Sequence, residues 1–223
     1  MSLAESIRNA QTKIEAIPAP GAILYDFIAK GILQTPERRT ADDILHHIRS
    51  GTILDIGSGT GFLAIEIAKR NPHLQIYGID LSPQMVKIAS RHAGYLRNAR
   101  LIVADAAEIP FENESVDFIV STGSLHHWSR PAKVFEECHR ILKPGSQAWI
   151  YDPCPDALLA EPEKAKKEYG LLGYLLRVKI FKLHCFTIEE YNHRIKKFLE
   201  RTGFKDSYEM KLTDMWMKII LKK

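Results

Sequence analysis

Three aspartates stand where ligand chemistry would need them. In ILDIGSGTGF (53–62), Asp55 lies two residues ahead of Gly57, Gly59 and Gly61, which alternate with small residues. Glycines so placed bring a ligand against bare backbone, and a glycine turn after a strand serves dinucleotides, flavins and nucleotides alike. The spacing is G-x-G-x-G rather than G-x-G-x-x-G, and no G-x-x-x-x-G-K-[ST] occurs. Asp55 narrows the ligand. A carboxylate at the mouth of a pyrophosphate site repels the phosphates that a helix N-terminus attracts, but it suits an ammonium or sulfonium group. Alone, such a residue also fits as a cap on turn amides. Asp80 follows in YGIDLSP, about 20 residues after the glycines, where a carboxylate accepts both ribose hydroxyls of an adenosine and disfavours a 2′-phosphate. Asp105, in VADAAEIPF, would accept from an adenine amino group. Three successive strands that all end in aspartate trace a nucleoside with a positively charged tail.

The elements that must carry these residues follow from the hydrophobic pattern. TILDIG is a short apolar run closed by turn residues, which predicts a buried parallel strand. FLAIEIAKR has helical spacing and stops at Asn71-Pro72. QIYGID (75–80) is the second strand, and PQMVKIASRHAGYL the next helix, with Ser82 as N-cap and Pro83 at its first position. RLIVAD (100–105), VDFIVSTG (116–123) and SQAWIYD are further strands. RPAKVFEECHRILK is a helix expected to end at Pro144-Gly145. Strands alternating with helices of about 10 to 15 residues predict an α/β fold with a parallel, doubly wound sheet. Ligands bind such sheets at the carboxyl ends of the strands, near the switch point. Thr187 with Glu190 is a capping box that starts a helix over 187–203, with Gly203 as its expected stop. FKDSYEM and MWMKIILKK, separated by Lys211 to Asp214, predict an antiparallel hairpin at the sheet edge.

The expected organisation is a single domain over 1–223. It comprises a helical N-terminal cap (1–50), a core (51–153), a lid-like insertion (154–186), and a final helix with the edge hairpin (187–223). In the cap, a third helix is expected from about Pro36 to Arg49. A chain of 223 residues, 45% hydrophobic and 26% charged, is long enough for a substantial core. The net charge of +4, with no dense Lys/Arg block, argues against nucleic acid as a partner. Cys138, Cys154 and Cys185 are odd in number and form no C-x-x-C, so neither a disulfide framework nor a metal site is expected. No apolar run approaches the roughly 20 residues of a membrane span, and the N-terminus has no signal pattern. A cytoplasmic location is the expectation.

The core resembles the class I S-adenosylmethionine-dependent methyltransferases. LDIGSGTG is similar to the family's first motif, IYGIDLSPQM to its ribose-binding second, and VADAAEIPFENESVDFIVSTGSLHHW to its third and fourth. RPAKVFEECHRILKPGSQAWIYD is similar to the helix, turn and fifth strand that follow. The resemblance covers about residues 50 to 152 and is strongest to the branch with ubiquinone/menaquinone-biosynthesis and other small-molecule enzymes. It implies a Rossmann-like seven-stranded sheet and S-adenosyl-L-methionine as cofactor, with S-adenosyl-L-homocysteine as product. It also implies a small-molecule acceptor. By matching position, Asp55, Gly57 and Gly59 would hold the methionine part, with Ser58 and Gly61 completing the loop. Asp80 would bind the ribose, Leu81 and Met85 would border the adenine, and Asp105 and Ala106 would read its amino group. Ser121 and Thr122 would line the sulfonium region, and Tyr25 of the cap would close over the cofactor.

Methyl transfer from a sulfonium is an in-line displacement in which the protein mainly positions, and a general base is needed only if the acceptor carries a proton. His126, in SLHHW, stands where an acceptor would arrive and is the candidate base; a histidine at a strand-to-helix turn also serves simply to bond backbone. The insertion joins leucines and aromatics to Arg177, Lys179 and Lys182, which suits a lid packed on the core, an amphipathic or anionic acceptor, or a membrane surface. Two other classes stay open: a non-catalytic S-adenosylmethionine binder acting as a regulatory or partner protein, and an NAD-dependent oxidoreductase, which lacks a Tyr-x-x-x-Lys pair. A homodimer is a further possibility.

Overall fold

The computed structural model describes residues 35–223. Helix α1 covers 35–47. Then follow β1 (Gly51–Ile56), α2 (Phe62–Arg70), β2 (Leu74–Asp80), α3 (Pro83–Ala93), β3 (Ala99–Val103) and β4 (Val116–Thr122). A 3-10 turn (Leu125–His127) leads to α4 (Pro131–Ile141), β5 (Leu142–Pro153), α5 (Pro155–Ala160), α6 (Pro162–His184), α7 (Ile188–Leu199), β6 (Tyr208–Thr213) and β7 (Trp216–Lys222). The strands form one seven-stranded sheet in the order β3-β2-β1-β4-β5-β7-β6. Strands β1 to β5 run parallel, while β7 pairs antiparallel with both β5 and β6. The doubly wound body and antiparallel finish agree with the sequence pattern.

Burial on both faces explains why the strands read as continuous apolar runs. Alternate residues feed two cores. Leu54, Ile56, Ile150 and Ile219 join Phe135, Tyr191 and Phe204 on one side. Ile53, Trp149, Trp216 and Ile220 join Leu63 and Ile67 on the other. Strand β1 is central, with β2 on one side and β4 on the other. The chain therefore reverses its winding direction between β1 and β4, and a crevice opens beyond their carboxyl ends.

Local signals set most helix ends. The Ser82 side chain accepts from the Met85 amide ahead of Pro83, and Thr187 and Glu190 form both halves of their capping box. Three boundaries differ from the sequence pattern. Helix α4 ends at Ile141, and Lys143-Pro144-Gly145 belongs to β5, whose register against β4 shifts between Val116 and Phe118. Helix α7 stops at Leu199, short of Gly203. A Cβ on Gly203 would run into the His139 ring, so close packing against α4 selects the glycine there. The hairpin has its first strand at Tyr208–Thr213, later than expected, and turns at Asp214-Met215, where Asp214 takes φ 50°.

Segment 154–186 forms two helices. Helix α6 bends at Gly170 (φ 71°, ψ 161°) and buries Ala165, Tyr174 and Phe181 in the second core. Beyond the bend its outer face carries Leu171, Leu172, Leu175 and Leu176, each more than half exposed. Among the described residues no helix is long and apolar enough to cross a membrane. Cys138, Cys154 and Cys185 are buried.

Candidate active site

One cleft lies over the carboxyl ends of the central strands. It gathers Gly57, Gly59, Asp80, Leu81, Met85, Asp105, Ala106 and Thr122, all singled out from sequence. Ser58, Gly61, Asp55, Ser121 and His126 are not in its wall. Ser58 lies beneath the loop with a buried, unpartnered hydroxyl, and Gly61 is the left-handed N-cap of α2 (φ 80°). Ser121 is buried and shares a hydrogen bond with Ser124 Oγ at 2.6 Å. Tyr25 lies outside the described residues. No wall residue comes from 154–186.

Each aspartate has distinct work. Asp80 Oδ2 accepts from the Gly59 amide and Oδ1 from the Ser82 amide, both at 2.9 Å. The carboxylate thus pins the glycine loop to the start of α3 and keeps lone pairs toward the cleft. Burial raises its pKa, and these two bonds oppose the rise. Asp105 is differently placed. Its Oδ1 accepts from the Ala107 amide at 2.7 Å, while Oδ2 accepts from Arg130 Nη2 at 2.6 Å on the rim. Asp55 is only 2% exposed, and its Oδ1 has no hydrogen-bond partner. Burial, then the Asp80 charge, push it up to about 8.

Gly57 has φ 68°, and a Cβ there would sit 2.5 Å from Ser124 Cβ. Ser124 is a hub: it donates to the Ile56 carbonyl at 3.3 Å and accepts from Trp128 Nε1 at 3.1 Å. The glycine loop and the turn after β4 are therefore locked together under the cleft. Ser124, Trp128 and Arg130 complete the wall. They lay within the family-like stretch, but no spacing rule marked them.

The two adjacent histidines part company. His127 faces the cleft, and burial and then His126 pull its pKa down to about 3, so it is a neutral imidazole. His126 points behind the wall. Its Nδ1 donates to Asp152 Oδ1 and Oδ2 at 2.9 and 3.0 Å. Asp152 is fully buried at the end of β5 and also accepts from the Tyr191 hydroxyl at 2.6 Å. Burial and the Asp152 charge hold Tyr191 protonated. Asp152 had a readable signal, since SQAWIYD closes on aspartate as the first three strands do. Tyr191 had none.

The middle of the chain carries the likeness to known proteins. Residues 54–150 match a methyltransferase domain. A demethylmenaquinone methyltransferase from Thermotoga maritima is 30% identical over 55% of this chain and 52% of its own length. A ubiquinone/menaquinone biosynthesis C-methyltransferase from Geotalea daltonii is 31% identical over 57% of each. The chain thus spans from about a quarter to little more than half the length of the curated relatives it matches. A provisionally assigned S-adenosyl-L-methionine-dependent methyltransferase of Methanococcus maripaludis superposes with a TM-score of 0.72 at 29% identity, over 92% of this chain and 93% of that one. These matches give no support to an NAD-dependent oxidoreductase.

The residues gathered here fit an adenosyl sulfonium cofactor. A cradle that a side chain on Gly57 would fill, a carboxylate at Asp80 and an orphaned buried oxygen on Asp55 ask together for backbone contact, hydroxyl donors and positive charge. The last of these has a measurable stability signature. Unfolded, Asp55 titrates near 3.8; folded, near 8. Between those values the unfolded chain holds fewer protons, so stability falls as pH rises from about 4 to 8. Asp55→Asn is expected to flatten that slope and raise Tm by about 10 °C at pH 8, with no gain at pH 4. Thermal melts across this range check it, and a pH-independent difference would show that Asp55 ionises freely.

Proposed function

We propose that this chain transfers a methyl group from S-adenosyl-L-methionine to a small-molecule acceptor, releasing S-adenosyl-L-homocysteine. The observation that carries the reading is the cleft at the β1/β4 switch point, where the glycine loop is pinned by Asp80 and backed by the uncompensated Asp55. When bound, the cofactor supplies a methyl group already activated by its sulfonium. In this reading Asp80 accepts from the ribose hydroxyls, and Leu81, Met85 and Ala106 border the adenine. Asp105 reads the adenine amino group with the lone pairs that Arg130 leaves. Gly57, Gly59 and Asp55 take the amino-acid tail, with Ser58 and Gly61 shaping the loop. Ser121 and Thr122 flank the sulfonium, and Tyr25 closes the cleft from the N-terminal segment.

Positioning is the main contribution, worth up to about 7–11 kcal/mol in well-oriented systems. His126 is the proposed base where the acceptor bears a proton; from its place behind the wall it acts only on an acceptor that reaches past His127. Because Asp152 holds Nδ1–H, the proton would be taken at Nε2. The menaquinone-type relatives make hydroquinones the first acceptor class to screen. Single-domain organisation with a 154–186 lid, a homodimer and a cytoplasmic location belong to the same proposal.

The test is transfer of a tritiated methyl group to a panel of demethylated hydroquinones and carboxylic acids, alongside calorimetric binding of S-adenosylhomocysteine and NAD. Label in an acceptor is expected. Binding of NAD with none of the thioether overturns the reading, and thioether binding with no labelled acceptor favours the non-catalytic alternative.

A further inference from the structure

We propose that the half of α6 beyond the Gly170 bend is a docking face for an anionic membrane surface, on which it lies in the plane of the headgroups. The inference goes beyond the cofactor reading and is independent of it, since no wall residue of the cleft comes from this helix.

Helix α6 changes character at the bend. Before it the surface is an ordinary charged one: Lys164 pairs with Glu161 and Asp214, and Lys166 with Glu163. After Gly170, Tyr174, Arg177 and Phe181 turn one side of the helix inward. At about 3.6 residues per turn, Leu171, Leu172, Leu175, Leu176, Lys179 and Lys182 fall together on the opposite side, and all six are exposed. Leu172 is 81% exposed. A surface helix ordinarily turns its apolar stripe to the core and charge to water, so leucines grouped on the outer side mark a contact site.

Charge selects the partner. From Tyr169 to Ile188 the chain has no Asp or Glu, and the two lysines continue the leucine face over the following turns. A face that is apolar and basic only complements acyl chains beneath anionic phosphates, with lysine stems lying along the apolar layer and their ammonium groups at the headgroups. A protein partner would not require that acid be excluded. Among the described residues no helix is long and apolar enough to cross a bilayer, so this one would lie on it. Held there, the chain would meet apolar acceptors in the phase that dissolves them.

Co-sedimentation of the full chain with vesicles tests this, using phosphatidylcholine alone and equal parts phosphatidylcholine and phosphatidylglycerol. Wild type is expected to bind the anionic vesicles about tenfold or more tightly than the neutral ones, the scale of two lysines near such a surface. Leu172→Gln with Leu176→Gln is expected to lose about tenfold or more on the anionic vesicles. Being exposed, the pair should leave Tm and S-adenosylhomocysteine affinity at the wild-type level, which keeps this outcome apart from that of the cofactor reading. As a second variant, Lys179→Gln with Lys182→Gln should bring binding of the anionic vesicles down to that of the neutral ones. Absence of wild-type binding to anionic vesicles overturns the proposal, as does equal binding by wild type and the leucine variant. A wild-type dimer in sedimentation equilibrium that the leucine variant dissolves, without vesicle binding, would assign the face to a second copy instead.

Discussion

Asp80→Ala is expected to weaken S-adenosylhomocysteine binding by about 100-fold or more. The ribose hydroxyls lose their acceptor, and each hydrogen bond to a charged group contributes about 1.5–3 kcal/mol. The same carboxylate holds the Gly59 and Ser82 amides, so the loop also loses the clamp that keeps it ready for ligand. Asp80→Asn retains one acceptor oxygen and should fall between the two. Calorimetry or equilibrium dialysis reads the effect, and unchanged affinity in Asp80→Ala would remove the ribose assignment. The variant should also lower the pKa of Asp55, because the Asp80 charge is among the causes that raise it. The pH slope of stability between 4 and 8 should then flatten.

The largest stability effect should come from Asp152→Ala. It strips the acceptor from His126 Nδ1–H and from the Tyr191 hydroxyl, both deep in the core. One buried donor without a partner, a second left with only its 3.3 Å bond to the Pro153 carbonyl, and the cavity are together expected to cost about 3–5 kcal/mol, or about 6–20 °C in Tm for a chain this long. Tyr191→Phe leaves His126 held and should cost far less. A calorimetric scan distinguishes them. Equal losses would mean that the aromatic packing of Tyr191 against Phe186, not the carboxylate, dominates.

Where hydrophobic period and turn chemistry coincide, the fold was legible from residues alone. The parallel body follows from buried apolar runs closed by aspartate and glycine, and both predicted caps at Ser82 and Thr187 formed as drawn. The misplaced boundaries have a common cause. Lys143-Pro144-Gly145 has local turn chemistry, but pairing of Leu142 with Val116 draws it into the sheet. Gly203 looks like a helix stop, yet the His139 ring across from it decides the residue. Much of the site was legible because its residues cluster at strand ends. Tyr191 and the orientations of His126 and His127 were not, since contacts between distant segments set them and no local pattern records such contacts.

Arg39 of α1 pairs with Glu168 of α6 at 2.9 Å and with Asp214 of the hairpin turn at 3.3 Å. Lys164 reaches the same Asp214 at 3.2 Å. This small lattice of surface charges holds α1, and dissolved ions compete with it directly. Ionic strength should therefore act as a dial on how firmly α1 is held. Salt would loosen that anchor without touching the glycine loop.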